Sequence, residues 1–128
     1  MNTLGHFTWS ANFTGNTNYT ADSDVWMLTI SSDFVSPSVT LLAPDNNYWD
    51  DDGEIQFQCN ASDTVELSAI SLYHNVNGNW VLNQTTATSG TTNSTDFIVT
   101  NVVDGTYIWN CAANDTANNT GYAILNYT

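Results

Sequence analysis

The sequence predicts an all-β protein, namely a two-sheet sandwich of about seven short strands preceded by one additional strand pair. Three observations lead to this prediction. Apolar and polar residues alternate repeatedly along the 128 residues, whereas helical spacing is nowhere persuasive. Turn-forming Gly, Asn, Asp and Pro residues separate the alternating segments. The only two cysteines, Cys59 and Cys111, both lie within such segments.

The first predicted element is a pair of strands within residues 1–31. Residues 6–13 and 25–30 each alternate, and the connection between them is polar and contains Gly and Asn. Residues 32–37, which end at a proline, read as a linker. The residues that alternation places on one face are Phe7, Trp9, Ala11 and Phe13 in the first segment and Trp26, Leu28 and Ile30 in the second.

Residues 38–128 contain the predicted sandwich. Its strands are marked in order by Val39 and Leu41; Ile55, Phe57 and Cys59; Ile70 and Leu72; Trp80 and Leu82; Phe97 and Val99; Tyr107, Trp109 and Cys111; and Tyr122, Ile124, Leu125 and Tyr127. Cysteines on the second and sixth strands are typical of an immunoglobulin-like sandwich, where a disulfide ties one sheet to the other. A Cys59–Cys111 disulfide would close a loop of 52 residues and indicates an oxidising compartment.

Residues 38–128 resemble the immunoglobulin-like repeats of archaeal and bacterial cell-surface proteins. The matching segments are SVTLLAPDNN, IQFQCNASD, ISLYHNVNGNWVLNQT and DGTYIWNCAANDTANN, of which DGTYIWNC is the most specific. The resemblance implies a spacer, adhesion or assembly module without catalytic residues. Trp109 stands two residues before the second cysteine, where antibody domains carry their corner tyrosine, so a conventional tyrosine corner is not expected. Tyr107, Trp109 and Cys111 should all belong to the core.

Residues 5–30 resemble the last two strands of another such repeat whose earlier strands are missing. A lone hairpin is marginally stable in water, and its aromatic face would form a large exposed apolar patch. Three arrangements would cover that face: a longer tandem array, strand addition from a neighbouring copy, or folding back onto residues 38–128. The predicted assembly interface comprises Phe7, Trp9, Phe13, Trp26, Leu28 and Ile30.

The charge balance excludes several functions. The chain has 13 acidic residues and no Lys or Arg, so the cations that bind nucleic acid, anionic membranes and phosphate loops are missing. Lysine-based Schiff bases and Lys–Asn cross-links are chemically impossible. No apolar run is long enough to span a bilayer and no signal peptide is recognisable, so an exported protein would be the mature chain or a part of one. A buried Asp would need backbone donors, a metal or a proton.

Two kinds of site are candidates on the surface. The densest acidic cluster, near Asp45, could hold Ca²⁺, although its spacing does not match an EF-hand loop. The alternative interpretation of the same residues is an ordinary turn before a strand. A group of aromatic residues could form a sugar-stacking platform, or it could cover the sandwich or an inter-module contact. No cofactor is otherwise expected, and neither His6 nor His74 has a recognisable nucleophile beside it, so we do not expect an enzyme. The Ca²⁺ candidates are Asp50, Asp51, Asp52 and Glu54, and the aromatic candidates are Tyr48, Trp49, Tyr73 and Trp80.

The pattern Asn-x-Ser/Thr predicts N-linked glycans, although a Thr- and Asn-rich polar surface would also produce it. It occurs at Asn12, Asn18, Asn60, Asn83, Asn93, Asn114, Asn118 and Asn126. Together with the disulfide it favours an extracellular or cell-surface location. The sequence therefore predicts a structural subunit or repeat of a filament or surface fibre, joined head to tail to other copies or neighbouring modules. The alternative is an adhesin module that binds glycan or a partner.

Overall fold

The computed structural model describes residues 5–14, 22–30 and 32–128. Within the first two of these ranges, most residues are described by their backbone alone. The chain divides into two compact units, Met1–Asp33 and Phe34–Thr128. Every regular element among the described residues is a β-strand, so the all-β prediction is confirmed.

The first unit is a two-stranded antiparallel sheet of β1 (Gly5–Phe13) and β2 (Asp22–Ile30). Its register places Trp9 opposite Trp26 and Phe7 opposite Leu28. Residues directly opposite each other in an antiparallel pair belong to the same face of the sheet. These two pairs of the predicted apolar sets therefore match, whereas Ala11 and Phe13 stand opposite Asp24 and Asp22. The side chains of the predicted interface lie outside what the structure describes.

The second unit is a β-sandwich of two antiparallel sheets. One sheet has the order β3-β4-β7 and the other β6-β5-β8-β9. The strands are β3 (Ser38–Ala43), β4 (Glu54–Ser62), β5 (Leu67–His74), β6 (Val81–Ala87), β7 (Thr92–Thr100), β8 (Trp109–Asp115) and β9 (Thr120–Tyr122). The longest ladder of the sandwich pairs β4 with β7 over nine positions from Glu54↔Thr100 to Ser62↔Thr92.

The core lies between the two sheets, where β4 faces β8. Cys59 and Cys111 are fully buried and form a disulfide with a Cα–Cα distance of 6.4 Å, which confirms the predicted pairing. Two residues before each cysteine stand Phe57 and Trp109, whose rings meet edge to face at 4.9 Å. The other members of the buried cluster are Val39, Leu41, Ala61, Leu67, Ile70, Leu72, Phe97, Ala113 and Ala123.

Tyr107 corrects one expectation, its place in the core, and forms an unconventional version of the tyrosine corner. It is half-buried and precedes β8, so it is less deeply placed than Trp109 and Cys111. Its hydroxyl donates to the Val103 carbonyl at 2.9 Å, four residues upstream, which is the contact that defines a tyrosine corner. Gly105 makes this possible, because a side-chain carbon there would lie 2.6 Å from the Tyr107 hydroxyl. The corner thus exists, but its tyrosine lies four residues before the cysteine.

The prediction of a last strand that runs from Tyr122 to Tyr127 is mostly wrong. β9 ends at Tyr122, and Ile124 is 97 % exposed, while Leu125 is also exposed. The cause is the buried side chain of Asn110, whose amide donates to the Ala123 carbonyl at 3.1 Å and to Asn126 Oδ1 at 2.7 Å. These bonds hold the segment against β8 without a regular ladder. Ala123 still donates its backbone N–H to the Cys111 carbonyl at 3.1 Å, and the next backbone bridge to β8 is at Tyr127, which pairs with Trp109.

Candidate functional site

A cleft of about 760 Å³ opens at the end of the sandwich where β4 begins. Three parts of the chain form it: the loop from Pro44 to Gly53, the end of β5 with Val76, and the loop from Val102 to Ile108. Phe57, His74 and Trp109 lie at its inner side, since all three line the cleft and are buried. Its volume falls within the range of small-ligand pockets.

The two loops of the cleft are fixed to each other at Gly53. This residue adopts a left-handed backbone with φ of +75°, and a side-chain carbon there would lie 2.9 Å from the Val102 carbonyl. Val102 donates its backbone N–H to the Gly53 carbonyl at 3.1 Å. The turn before Gly53 is closed by Asp50, whose Oδ2 accepts the Gly53 N–H at 2.7 Å. Glycine is therefore required for this close approach.

His74 at the inner side of the cleft is only 1 % exposed. Its Nδ1 accepts the Val76 backbone N–H at 3.3 Å, and its ring stacks on Phe57 with centroids 6.3 Å apart. Burial lowers the pKa of His74 below its usual value, and the Asn83 side chain opposes this shift only in part. The imidazole is thus neutral at pH 7, and the cleft offers no cation to an anionic ligand.

The mouth of the cleft carries two exposed aromatic residues. Trp49 is 88 % exposed and Tyr48 is 54 % exposed, and both line the cleft. The three aspartates that follow, Asp50 to Asp52, line it as well. Aromatic faces beside carboxylate acceptors suit a neutral polyhydroxyl ligand, because the rings stack on the apolar face of a sugar and the acceptors take its hydroxyl protons.

The other two predicted platform residues lie elsewhere. Tyr73 stacks on Trp80 with centroids 6.1 Å apart and contacts Tyr122 at 5.7 Å. Tyr73 alternates with the buried Leu72 and His74, so this cluster lies on the outer face of the four-stranded sheet. A hydrogen bond with Tyr122, with burial adding to it, raises the pKa of Tyr73. The predicted aromatics therefore form two separate groups.

Two of the four predicted Ca²⁺ candidates accept hydrogen bonds within their own turn. Asp50 accepts the Gly53 N–H, and Asp52 Oδ1 accepts the Glu54 N–H at 2.9 Å. Within the described part of the chain, the carboxylates of Asp50, Asp51, Asp52 and Glu54 do not gather within reach of a single ion. The ordinary-turn interpretation fits these bonds.

The sequons differ in how accessible they are. Asn18 lies outside the described residues, whereas Asn12, Asn83, Asn118 and Asn126 are exposed. The remaining three are half-buried with their amide nitrogens already donating: Asn60 to Ser94 at 2.9 Å, Asn93 to the Ser89 carbonyl at 3.4 Å, and Asn114 to Thr120 at 2.7 Å. His6, the other histidine, is described by its backbone alone.

Alternation alone could not have identified the loop residues of the cleft. Val102 lies in no motif, and although Thr106 lies within DGTYIWNC, only the pairing of β4 with β7 brings their loop beside Gly53. Among the described residues, no helix is long and apolar enough to cross a bilayer. No protein-family model, no curated protein and no solved structure matches the chain.

Proposed function

We propose that this chain is an immunoglobulin-like structural module of an extracellular filament or cell-surface fibre, in which copies or neighbouring modules join end to end. Support for the immunoglobulin-like assignment comes from the order of strands in two sheets of three and four, and from a disulfide between the second and sixth strands of the sandwich. The disulfide also supports an oxidising, extracellular location.

The two-stranded first unit carries the proposal. Among the described residues, β1 pairs with β2 alone, so each nine-residue strand has one edge without a backbone partner. Such edges accept strands from other chains, and a two-stranded sheet gains stability from them. Two apolar pairs, Trp9 with Trp26 and Phe7 with Leu28, occupy matching register positions in the middle of the sheet, which favours apolar burial by an incoming partner there.

Charge predicts how the modules associate. Each copy carries a formal charge of -13 without a single Lys or Arg, so a contact between copies contains no Lys- or Arg-based ion pair. Long-range repulsion must then be overcome by apolar burial and backbone hydrogen bonds. Repulsion between exposed charges is screened beyond roughly 10 Å at about 0.1 M salt. Association should therefore strengthen as salt rises.

The test follows association of the full chain by sedimentation velocity and electron microscopy between about 0.05 and 1 M NaCl. We expect end-to-end particles whose proportion increases with salt. A variant with Trp9→Ser and Trp26→Ser should remain monomeric while its sandwich unfolds at the wild-type denaturant concentration. Thr8→Ser, on the opposite face of β1, is the matched control and should associate normally. A wild-type chain that stays monomeric at all salt concentrations would refute the proposal.

The cleft favours a second candidate function, a glycan-binding adhesin module. Trp49 and Tyr48 at its mouth would stack on a neutral sugar, and Trp49→Ala should reduce affinity roughly tenfold or more. Trp80→Ala is the control, since Trp80 does not line the cleft. Calorimetric titration with neutral oligosaccharides measures both variants. Equal losses from the two substitutions, or no saturable binding by the wild type, would contradict a glycan site in the cleft.

A further inference from the structure

Two buried carboxylates meet at the end of the sandwich away from the cleft. Asp63 directly follows β4 and is 9 % exposed, and Asp115 ends β8 and is 0 % exposed. A carboxylate oxygen of Asp63 lies within 4.8 Å of a carboxylate oxygen of Asp115. Because β4 and β8 belong to different sheets, the two acidic groups approach each other across the sandwich.

The hydrogen bonds of the pair leave one oxygen without a partner. Asp115 accepts the Asn119 backbone N–H at 2.8 Å with Oδ1 and the Asn119 amide at 2.7 Å with Oδ2. Asp63 accepts the Val65 N–H at 2.8 Å with Oδ1. Asp63 Oδ2, in contrast, is buried and makes no hydrogen bond. An unpaired carboxylate oxygen in the interior is costly unless a proton or a cation reaches it.

No side chain of this protein can neutralise the pair with a permanent positive charge, because the sequence contains no Lys or Arg. His74 lies at the opposite end of β5, where it lines the cleft. Two adjacent carboxylates repel each other strongly in a medium of low dielectric constant. The countercharge must therefore come from solution.

We infer that Asp63 and Asp115 bind a hard divalent cation of the Ca²⁺ class. Their donors are oxygens, which Ca²⁺ prefers and which soft metals do not. The chain's only thiols are joined in the disulfide, so sulfur ligation is closed. This site is separate from the acidic turn of Asp50 to Glu54, in which Asp50 and Asp52 accept backbone N–H groups.

The cation would link the two sheets where the chain enters the sandwich. Ser38, the first residue of β3, pairs with Ser62, the neighbour of Asp63. A ligand that binds only the folded state multiplies the ratio of folded to unfolded protein by 1 + L/Kd, where L is the free ligand concentration. At a ligand concentration of 100 times Kd, that ratio rises roughly 100-fold. Removal of the ion should therefore destabilise the Phe34–Thr128 unit.

The test uses the full chain after dialysis against a chelator. Calorimetric titration with CaCl₂ should show saturable binding near one ion per chain, and added Ca²⁺ should raise the unfolding midpoint. Asp63→Asn, which retains an acceptor for Val65, should abolish both effects. Asp115→Ala provides a second variant at the site. Asp51→Asn removes one equally negative but exposed carboxylate and should leave both effects unchanged, which separates specific binding from general charge screening.

Three results would overturn the inference. One is no saturable Ca²⁺ binding by the wild type up to millimolar concentrations. Another is a Ca²⁺ affinity of the Asp63→Asn variant that equals the affinity of the wild type. Titration measures this affinity directly, so the result does not depend on a change in stability. The third is an equal midpoint shift from NaCl at matched ionic strength. If the wild type does not bind Ca²⁺ and the metal-free Asp63→Asn variant is more stable than the metal-free wild type, the charge of the pair is neutralised by a shared proton and not by a metal ion.

Discussion

Replacing Cys59 and Cys111 together with alanine removes the covalent tie between the two sheets. The disulfide closes a loop of 52 residues, and the chain-entropy relation assigns such a loop about 4 kcal/mol of stabilisation at 25 °C. Both cysteines are fully buried, so the smaller alanines also leave apolar voids that cost about 1 kcal/mol more. The free energy of unfolding should therefore fall by about 5 kcal/mol.

Urea denaturation with linear extrapolation measures this loss. A decrease of that size corresponds to a thermal midpoint lower by roughly 20–40 °C for a domain of this length. The m-value should rise, because an unfolded chain without the cross-link exposes more surface. Wild type unfolded under reducing conditions keeps both sulfur atoms and should lose only the loop contribution. A loss below about 1 kcal/mol with an unchanged m-value would refute the argument from chain entropy.

Three further outcomes follow from individual side chains. Tyr107→Phe should lower the free energy of unfolding by about 1 kcal/mol in urea denaturation, because the Val103 carbonyl loses its hydrogen bond; an unchanged value would mean that water replaces it. Because burial lowers the pKa of His74, this side chain takes up a proton at a higher pH in the unfolded chain than in the folded one. The free energy of unfolding should therefore fall as the pH decreases below about 6.5. Denaturation measured at several pH values should show a flatter dependence for His74→Gln. If the chain is N-glycosylated, peptide mass spectrometry should find the exposed Asn118 more fully occupied than the half-buried Asn114, whose amide donates to Thr120; the reverse order would contradict the accessibility argument.

Alternation located most strands of the sandwich because inward-facing side chains recur every second residue, although β6 is exposed along almost its whole length. Phe57 and Cys59 in β4, like Trp109 and Cys111 in β8, are buried as predicted. This signal failed after Tyr122, where apolar residues continue but the Asn110 amide replaces the backbone ladder. A polar contact between residues that are distant along the chain leaves no trace in local periodicity.

The candidate sites were less accessible to sequence reasoning. Trp49 was one of four aromatic residues that could either bind a sugar or cover the sandwich or an inter-module contact, and its separation from Trp80 depends on sheet topology. The absence of Lys and Arg indicated that any buried Asp would need backbone donors, a metal or a proton. Which Asp is buried could not be read from the sequence, because Asp63 and Asp115 become neighbours only when β4 and β8 belong to facing sheets.

The course of the chain through the sandwich determines how the Phe34–Thr128 unit would respond to mechanical tension. Ser38 lies beside Ser62 at one end of β4, whereas Thr128 accepts a hydrogen bond from Asn47 in the loop leading to its other end. A pull between these points runs along the strands, so ladder hydrogen bonds would be sheared together instead of opening one by one. After rupture, the disulfide would still withhold the 52-residue loop, roughly 170–190 Å of extended chain.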